Sequence, residues 1–260
     1  MKTVSRDGAK LAYEERGSAE HCYLFVHGWT CDHTHFAPQV EHFAAAGYRT
    51  VAVDLRGHGE SDDPGGTYSI PDFADDVAHV IETLELPRPI AVGHSMGGAT
   101  VLELAARHAD LVSGIVMVDP APLIPDALAQ ALEPLLQAME AGDNTPRREF
   151  IVSGLFLPTD DATLREQIAD LMCETDTRVA VAAMRAIFGF QGVKAAAACT
   201  VPALHIAAEP ALNSQALMAE HLKGVVNAQT AGAGHFNQLL VPNQVNEMIA
   251  DFTRAYVDWR

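Results

Sequence analysis

The stretch 91-AVGHSMGGAT-100 decides the fold, because it reads as a tight turn from a buried strand into a helix. Pro89–Val92 is apolar on successive residues, and 99–108 carries a helical pattern. Ser95 stands between Gly93 and Gly97 in a G-x-S-x-G pattern, the nucleophile elbow, where a strained turn lifts the serine hydroxyl above a sheet. Gly93 and Gly97 leave room for the turn to pack on its neighbours, and Gly98 extends that small surface. The helix that follows aims its first amides at any anion forming on Ser95. A Gly-Ser-Gly turn can also be a plain connection; the strand before it and the helix after it make Ser95 a candidate nucleophile.

Outward from the elbow, further apolar runs read as strands: Cys22–Val26, Thr50–Val53, Gly114–Val118, Ala203–Ala207 and Gly224–Val226. Most are apolar on successive residues, which suits strands buried on both faces of a mainly parallel sheet. Lys2–Ser5 and Lys10–Glu15, split by Asp7-Gly8, read as an antiparallel hairpin at the sheet edge. Ser69 is placed to cap a helix with Ile70, Phe73, Ala74, Val77, Ile81 and Leu84 along one stripe. Val245, Met248, Ile249, Phe252 and Tyr256 form another stripe near the end. The alternation predicts an α/β fold, a mostly parallel eight-stranded sheet with helices on both faces.

The rhythm breaks between Pro120 and Ala198, where no convincing strand occurs. Leu128, Ala131, Leu132, Leu135, Leu136 and Met139 share one helical stripe; Val179, Ala182, Ala183, Met184 and Ile187 share a second. Pro158-Thr159-Asp160 marks a helix start between them. The expected organisation is a core of residues 1–119 and 199–260, with 120–198 inserted as a helical cap.

Bulk properties exclude several classes. A net charge of −17 over 260 residues argues against nucleic acid, whose phosphates demand Lys and Arg. The opening MKTVSRDGAKLAYEERG lacks the apolar centre of a signal peptide, and no apolar run nears the roughly 18–20 residues of a membrane span. A cytoplasmic protein without membrane contact is expected, its four cysteines reduced. No metal-ligand spacing is visible among the histidines and no cofactor is implied. The expected partner is a small molecule. Oligomeric state is left open, a homo-oligomer included.

In open parallel sheets, sites form at the carboxyl ends of the strands. His235, in 231-AGAGHFNQL-239 after the last strand, is the candidate base. His94, His27, His58 and His205 read as structural. A second oxyanion donor besides the Met96 amide would come from Trp29, in the His27-Gly28-Trp29 loop after Cys22–Val26.

Along nearly its whole length the sequence resembles the α/β-hydrolase superfamily. The resemblance rests on His27-Gly28-Trp29, 54-DLRGHGESD-62, Gly93-His94-Ser95-Met96-Gly97-Gly98 and Gly234-His235-Phe236, in that order. It is strongest to the small capped esterases, lactonases and cofactor-free haloperoxidases. Haloalkane dehalogenases carry Asp where this chain has Ser95. The resemblance implies a serine hydrolase that cleaves an ester or lactone of a small hydrophobic substrate through an acyl-enzyme. The other readings are C–C hydrolysis of a diketone-like substrate, perhydrolase or haloperoxidase-like chemistry, and a non-enzymatic ligand sensor. The 54–62 loop is mostly scaffolding in relatives.

One element departs from the family. Its acid usually follows the penultimate strand in a G-E-x-D stretch, but here 204-LHIAAEPALNS-214 puts Ala211 near that position. Asp119, ending Gly114–Val118, is the favoured substitute, as in relatives that keep their acid at this earlier strand end. Glu209 is the alternative, and a dyad with water the remaining one. Phe156, Met184, Ile187, Phe188 and Phe236 are expected as apolar pocket walls, with Arg185 a candidate partner for a substrate carboxylate.

Overall fold

The computed structural model describes residues 1–66 and 68–259. The chain opens with β1 (Lys2–Arg6) and β2 (Ala9–Arg16), an antiparallel hairpin, and continues through β3 (Cys22–Val26), α1 (Ala37–Ala45), β4 (Arg49–Val53) and α2 (Ile70–Thr83). The elbow follows as β5 (Ile90–His94) and α3 (Met96–Arg107), then β6 (Gly114–Val118). Helices α4 (Asp126–Glu140), α5 (Thr145–Gly154), α6 (Ala162–Glu174), α7 (Thr177–Phe188) and α8 (Gly192–Ala198) separate β6 from β7 (Ala203–Ala207). The chain closes with α9 (Gln215–His221), β8 (Val226–Gln229), α10 (Asn237–Leu240) and α11 (Pro242–Tyr256).

The strands form one eight-stranded sheet in the order β1-β2-β4-β3-β5-β6-β7-β8. Pairing is parallel from β4 onward, and antiparallel only at β1·β2 and β2·β4. Both faces of the central strands are covered, which explains their unbroken apolar runs. Tyr23, Phe25, Val92, Val116 and Ile206 pack under α1 and α11 with Val40, Phe43, Ile249 and Phe252. Leu24, Val26, Ala91, Ile115 and Met117 face the opposite layer with Phe73, Val77, Val101 and Leu102 of α2 and α3.

Two boundaries differ instructively from the sequence pattern. Helix α3 begins at Met96, directly after Ser95, and so contains Gly97 and Gly98, which periodicity alone leaves outside a helix. Packing explains the choice: a Cβ on Gly97 would lie 2.1 Å from the Val26 carbonyl oxygen. No larger residue lets α3 press onto the end of β3. Helix α6 begins at Ala162, not at Pro158-Thr159-Asp160, because the Asp161 side chain takes the Leu164 amide as the cap. Asp160 is thereby free to turn inward. Strand β8 likewise starts at Val226, since Gly224 at φ +75° belongs to the preceding turn.

Within the segment between β6 and β7, α4 packs on α5 and α7, and α5 on α6, while α8 lies along α3. This segment stands over the carboxyl ends of the parallel strands.

Candidate active site

Ser95 adopts φ +53° and ψ −113°, a conformation that costs a non-glycine residue about 1–3 kcal/mol and is held only by its surroundings. Three backbone bonds hold it. The Ser95 amide donates to the Val118 carbonyl at 3.0 Å, and the Ser95 carbonyl accepts from Ala99 at 3.2 Å and Ala121 at 3.0 Å. The turn is thus tied to the end of β6, the strand whose next residue is Asp119.

That adjacency organises the charged half of the site. Asp119, buried and at φ +35°, accepts the Nδ1 proton of His235 on Oδ2 at 2.6 Å. Its Oδ1 accepts the amides of Ala208 and Leu212, each at 3.1 Å. The loop after β7, which lacks the family's usual acid, therefore supplies two donors that fix an acid arriving from β6. A carboxylate so engaged can hold the imidazole tautomer with Nε2 as the acceptor. Glu209, the alternative, is exposed and accepts the Gly232 amide at 3.4 Å. Asp119 is the carboxylate on His235.

The His235 backbone is engaged on both sides. Its amide donates to the Leu155 carbonyl at 3.0 Å, and its carbonyl accepts from His94 Nε2 at 2.9 Å. Burial and the neighbouring His235 hold His94 well below the usual imidazole range, so it is neutral with its proton on Nε2. His94 thus packs and hydrogen-bonds beside Ser95.

Trp29 is buried, with its indole N–H donating to the Ala180 carbonyl of α7 at 2.7 Å. Among the described residues, no backbone acceptor takes the amides of Trp29 or Met96. Gly28 brings this loop against the elbow: a Cβ there would lie 3.2 Å from the Ser95 Cβ.

Ser95, His235, Asp119 and Trp29 line one cavity of about 430 Å³. Phe156, Met184, Ile187, Phe188 and Phe236 line it as well. Arg185 does not, which corrects the expectation of a cationic wall. It points outward from α7, half-exposed, and pairs with Glu133 at 3.2 Å and Glu140 at 2.9 Å. Among the described residues no Lys or Arg lines the cavity. Sequence reasoning did not single out Leu128, Leu132, Phe150, Leu155 and Met172 as lining residues. For Leu128 and Leu132 the signal was present: they share the α4 stripe with Leu135, Leu136 and Met139, but face the cavity where the other three are buried.

The other histidines and the 54–62 loop are occupied locally. His27 Nε2 accepts the Leu55 amide at 2.9 Å while Nδ1 donates to the Gly28 carbonyl at 2.8 Å. Asp54 accepts the His33 amide at 2.7 Å and the Glu60 amide at 2.9 Å, and His205 bonds Asn227 at 2.8 Å.

A family model described as the alpha/beta hydrolase fold matches residues 24–156. A 2-(acetamidomethylene)succinate hydrolase from Mesorhizobium japonicum is 39% identical over 128 residues, 49% of this chain and 45% of that protein. A bifunctional esterase/perhydrolase from Acinetobacter calcoaceticus is 31% identical over 149 residues, 56% of this chain and 50% of that protein. The chain thus spans about half the length of these relatives. Among solved structures, the enol-lactonase from Burkholderia xenovorans LB400 superposes with a TM-score of 0.87 at 24% identity, covering 97% of this chain and 100% of that one. This last likeness is one of fold.

Proposed function

The chain belongs to the α/β hydrolase fold family, and we propose that it is a serine hydrolase that cleaves a small, apolar ester or lactone through an acyl-enzyme. The observation that carries the reading is the 2.6 Å bond from His235 Nδ1 to Asp119, in the wall of the cavity that Ser95 also lines. His235 Nε2 takes the proton of Ser95 Oγ as the oxygen attacks the substrate carbonyl. The amides of Met96 and Trp29 donate to the oxyanion that forms, each worth about 10²–10³ in rate by analogy with other oxyanion donors. The imidazolium, stabilised by Asp119, gives its proton to the departing alcohol oxygen. Water, deprotonated by His235, then attacks the acyl-enzyme, and collapse returns the proton to Ser95 and releases the acid.

The wall supports a neutral substrate. Placing a carboxylate among Leu128, Leu132, Phe150 and Phe188 without a cation costs several kcal/mol. p-Nitrophenyl butyrate should therefore exceed a p-nitrophenyl monoester of succinate by about 10²-fold or more in kcat/KM. Equal rates would remove the neutral-substrate reading while leaving the serine mechanism intact.

The mechanism has its own test. A fluorophosphonate should label Ser95 stoichiometrically, and His235→Ala should abolish the reaction; well-folded protein that fails to label contradicts it. The same acyl-enzyme could pass to hydrogen peroxide in place of water and release a peracid. The esterase/perhydrolase relative favours including that acceptor. Peracid should form from an acetate ester and peroxide and be lost in Ser95→Ala; ester hydrolysis with no peracid removes this second acceptor.

A further inference from the structure

The helical segment between β6 and β7 roofs the cavity, and it also grips both loops that hold the reacting groups. On one side is Asp160, buried in the link between α5 and α6. Among the described residues its carboxylate meets no Lys, Arg or His. It accepts backbone amides alone: Leu157 at 2.7 Å on Oδ2, and Gly234 at 3.3 Å on Oδ2 and 3.4 Å on Oδ1. A desolvated carboxylate without a cation is costly unless such donors compensate it. The donor from Gly234 is the residue before His235, whose own amide is taken by the Leu155 carbonyl of the same segment.

On the other side is Arg147 of α5, also buried. Its guanidinium donates to the Thr175 carbonyl at 2.9 Å and to the Met172 carbonyl, and sits 5.8 Å over the Trp29 ring. Thr175 in turn donates its hydroxyl to the Thr30 carbonyl at 3.2 Å, and Thr30 is held at φ +55°. The Trp29 indole bonds α7 through Ala180. Each loop therefore has its backbone or side chain tied to the helical segment through a buried charged residue.

We propose that Asp160 and Arg147 are positioning residues, Asp160 for the His235 loop and Arg147 for the Trp29 loop, which make the helical segment a fixed part of the catalytic frame and not a lid that swings clear. The inference rests on the serine-hydrolase reading above. Its consequence is that loosening the segment misplaces the base and the oxyanion donor without removing either. A misplacement near 1 Å is enough to cost about 10²-fold in rate.

Sequence neighbours provide matched controls. Asp161 caps α6 through the Leu164 amide at 2.8 Å, and Arg148 pairs with Glu166 at 2.7 Å and Asp170 at 2.6 Å on the surface. Neither touches a catalytic loop.

The experiment compares Asp160→Ala, Asp160→Asn and Asp161→Ala, and likewise Arg147→Met and Arg148→Ala. Fluorophosphonate inactivation of Ser95 and turnover of p-nitrophenyl butyrate are followed beside thermal melting. Asp160→Ala and Arg147→Met should lower kcat and the limiting inactivation rate by about 10- to 100-fold, with KM changed less than about threefold. Asp160→Asn keeps a carbonyl oxygen for the Gly234 amide and should stay within about threefold of the parent protein. Asp161→Ala should lower the melting temperature yet keep kcat. Equal kcat losses in Asp160→Ala and Asp161→Ala, or an effect on KM alone, overturn the proposal. Amide hydrogen exchange on the unsubstituted protein gives a second arm: the Gly234 and His235 amides should exchange no faster than those of α6, and faster exchange overturns it. If the unsubstituted protein never labels at Ser95, the hydrolase reading fails instead, and the exchange arm still tests the clamp.

Discussion

The turn that carries Ser95 and the loop that carries His235 are built in opposite ways. The elbow is held through backbone contacts: Ser95 bonds Val118, Ala99 and Ala121, and Gly97 packs on the Val26 carbonyl. The histidine loop is held mainly by side chains from elsewhere. Asp119 comes from β6, His94 from β5, Leu155 and Asp160 from the helical segment, and each contributes one bond. An element held by backbone contacts tolerates little added bulk at its own glycines and responds little to changes in its partners' side chains. One assembled from remote parts degrades by degrees as each part is removed.

Three substitutions probe that contrast, beginning with the largest effect. Gly97→Ala places a carbon 2.1 Å from the Val26 oxygen, so the elbow cannot close against β3. Such overpacking against backbone should cost about 3 kcal/mol or more, drop the melting temperature and abolish fluorophosphonate labelling. Normal labelling in this variant would mean that the elbow is less rigid than its geometry implies.

Asn213→Ala acts on the remote side. Asn213 bridges the segment after Asp119 to the loop after β7, donating to the Leu123 carbonyl at 2.8 Å and accepting the Leu123 amide at 3.2 Å. Its loss loosens the loop whose Leu212 amide holds Asp119. The expected outcome is a kcat lowered about tenfold with the protein still folded, stability falling by about 1–3 kcal/mol. An unchanged kcat would show that Asp119 needs no support from this loop.

His58→Gln should affect turnover least, since the residue is buried beside His27 and donates only to the Arg56 carbonyl at 2.9 Å. Its signature is in stability. Burial, reinforced by His27, pushes the His58 pKa down to about 3. In the unfolded chain, near 6.5, it binds its proton first as pH falls. Its contribution is therefore present above about 6.5 and drains away as pH drops toward 3, an amount on the order of 5 kcal/mol. His58→Gln should flatten the acid limb of stability against pH over that window while kcat at neutral pH stays within about threefold. A steep limb that persists would assign acid sensitivity to other groups.

The same contrast explains what could be read in the sequence. The sheet was legible because strands buried on both faces write themselves as short apolar runs, and β3, β6 and β7 have the bounds those runs suggest. The elbow was legible because its close backbone packing demands glycine at 93, 97 and 98, a pattern the sequence records directly. The acid was readable as a preference for Asp119 over Glu209 or a dyad with water. What separates them is the pair of amides at Ala208 and Leu212 folding back on β6, which no local pattern records. Arg185 was misjudged for a simpler reason. It follows Met184 on α7, about 100° further round the helix, and that turn takes it from the cavity to the Glu133 and Glu140 carboxylates. Asp160 was hidden by its neighbour: either aspartate of the pair could cap a helix, and only the packed structure shows Asp161 doing so while Asp160 reaches Gly234.

His235 is served by a carboxylate from the end of β6, Asp119. Turnover of p-nitrophenyl butyrate by Asp119→Asn and Glu209→Gln, each checked for an unchanged fold by melting, tests it most directly. Asp119→Asn should lose about 10³–10⁴ in kcat, as expected when a base is left in the wrong tautomer, and Glu209→Gln should lose less than about twofold. A collapse of kcat in Glu209→Gln, with Asp119→Asn near the parent rate, would contradict the account.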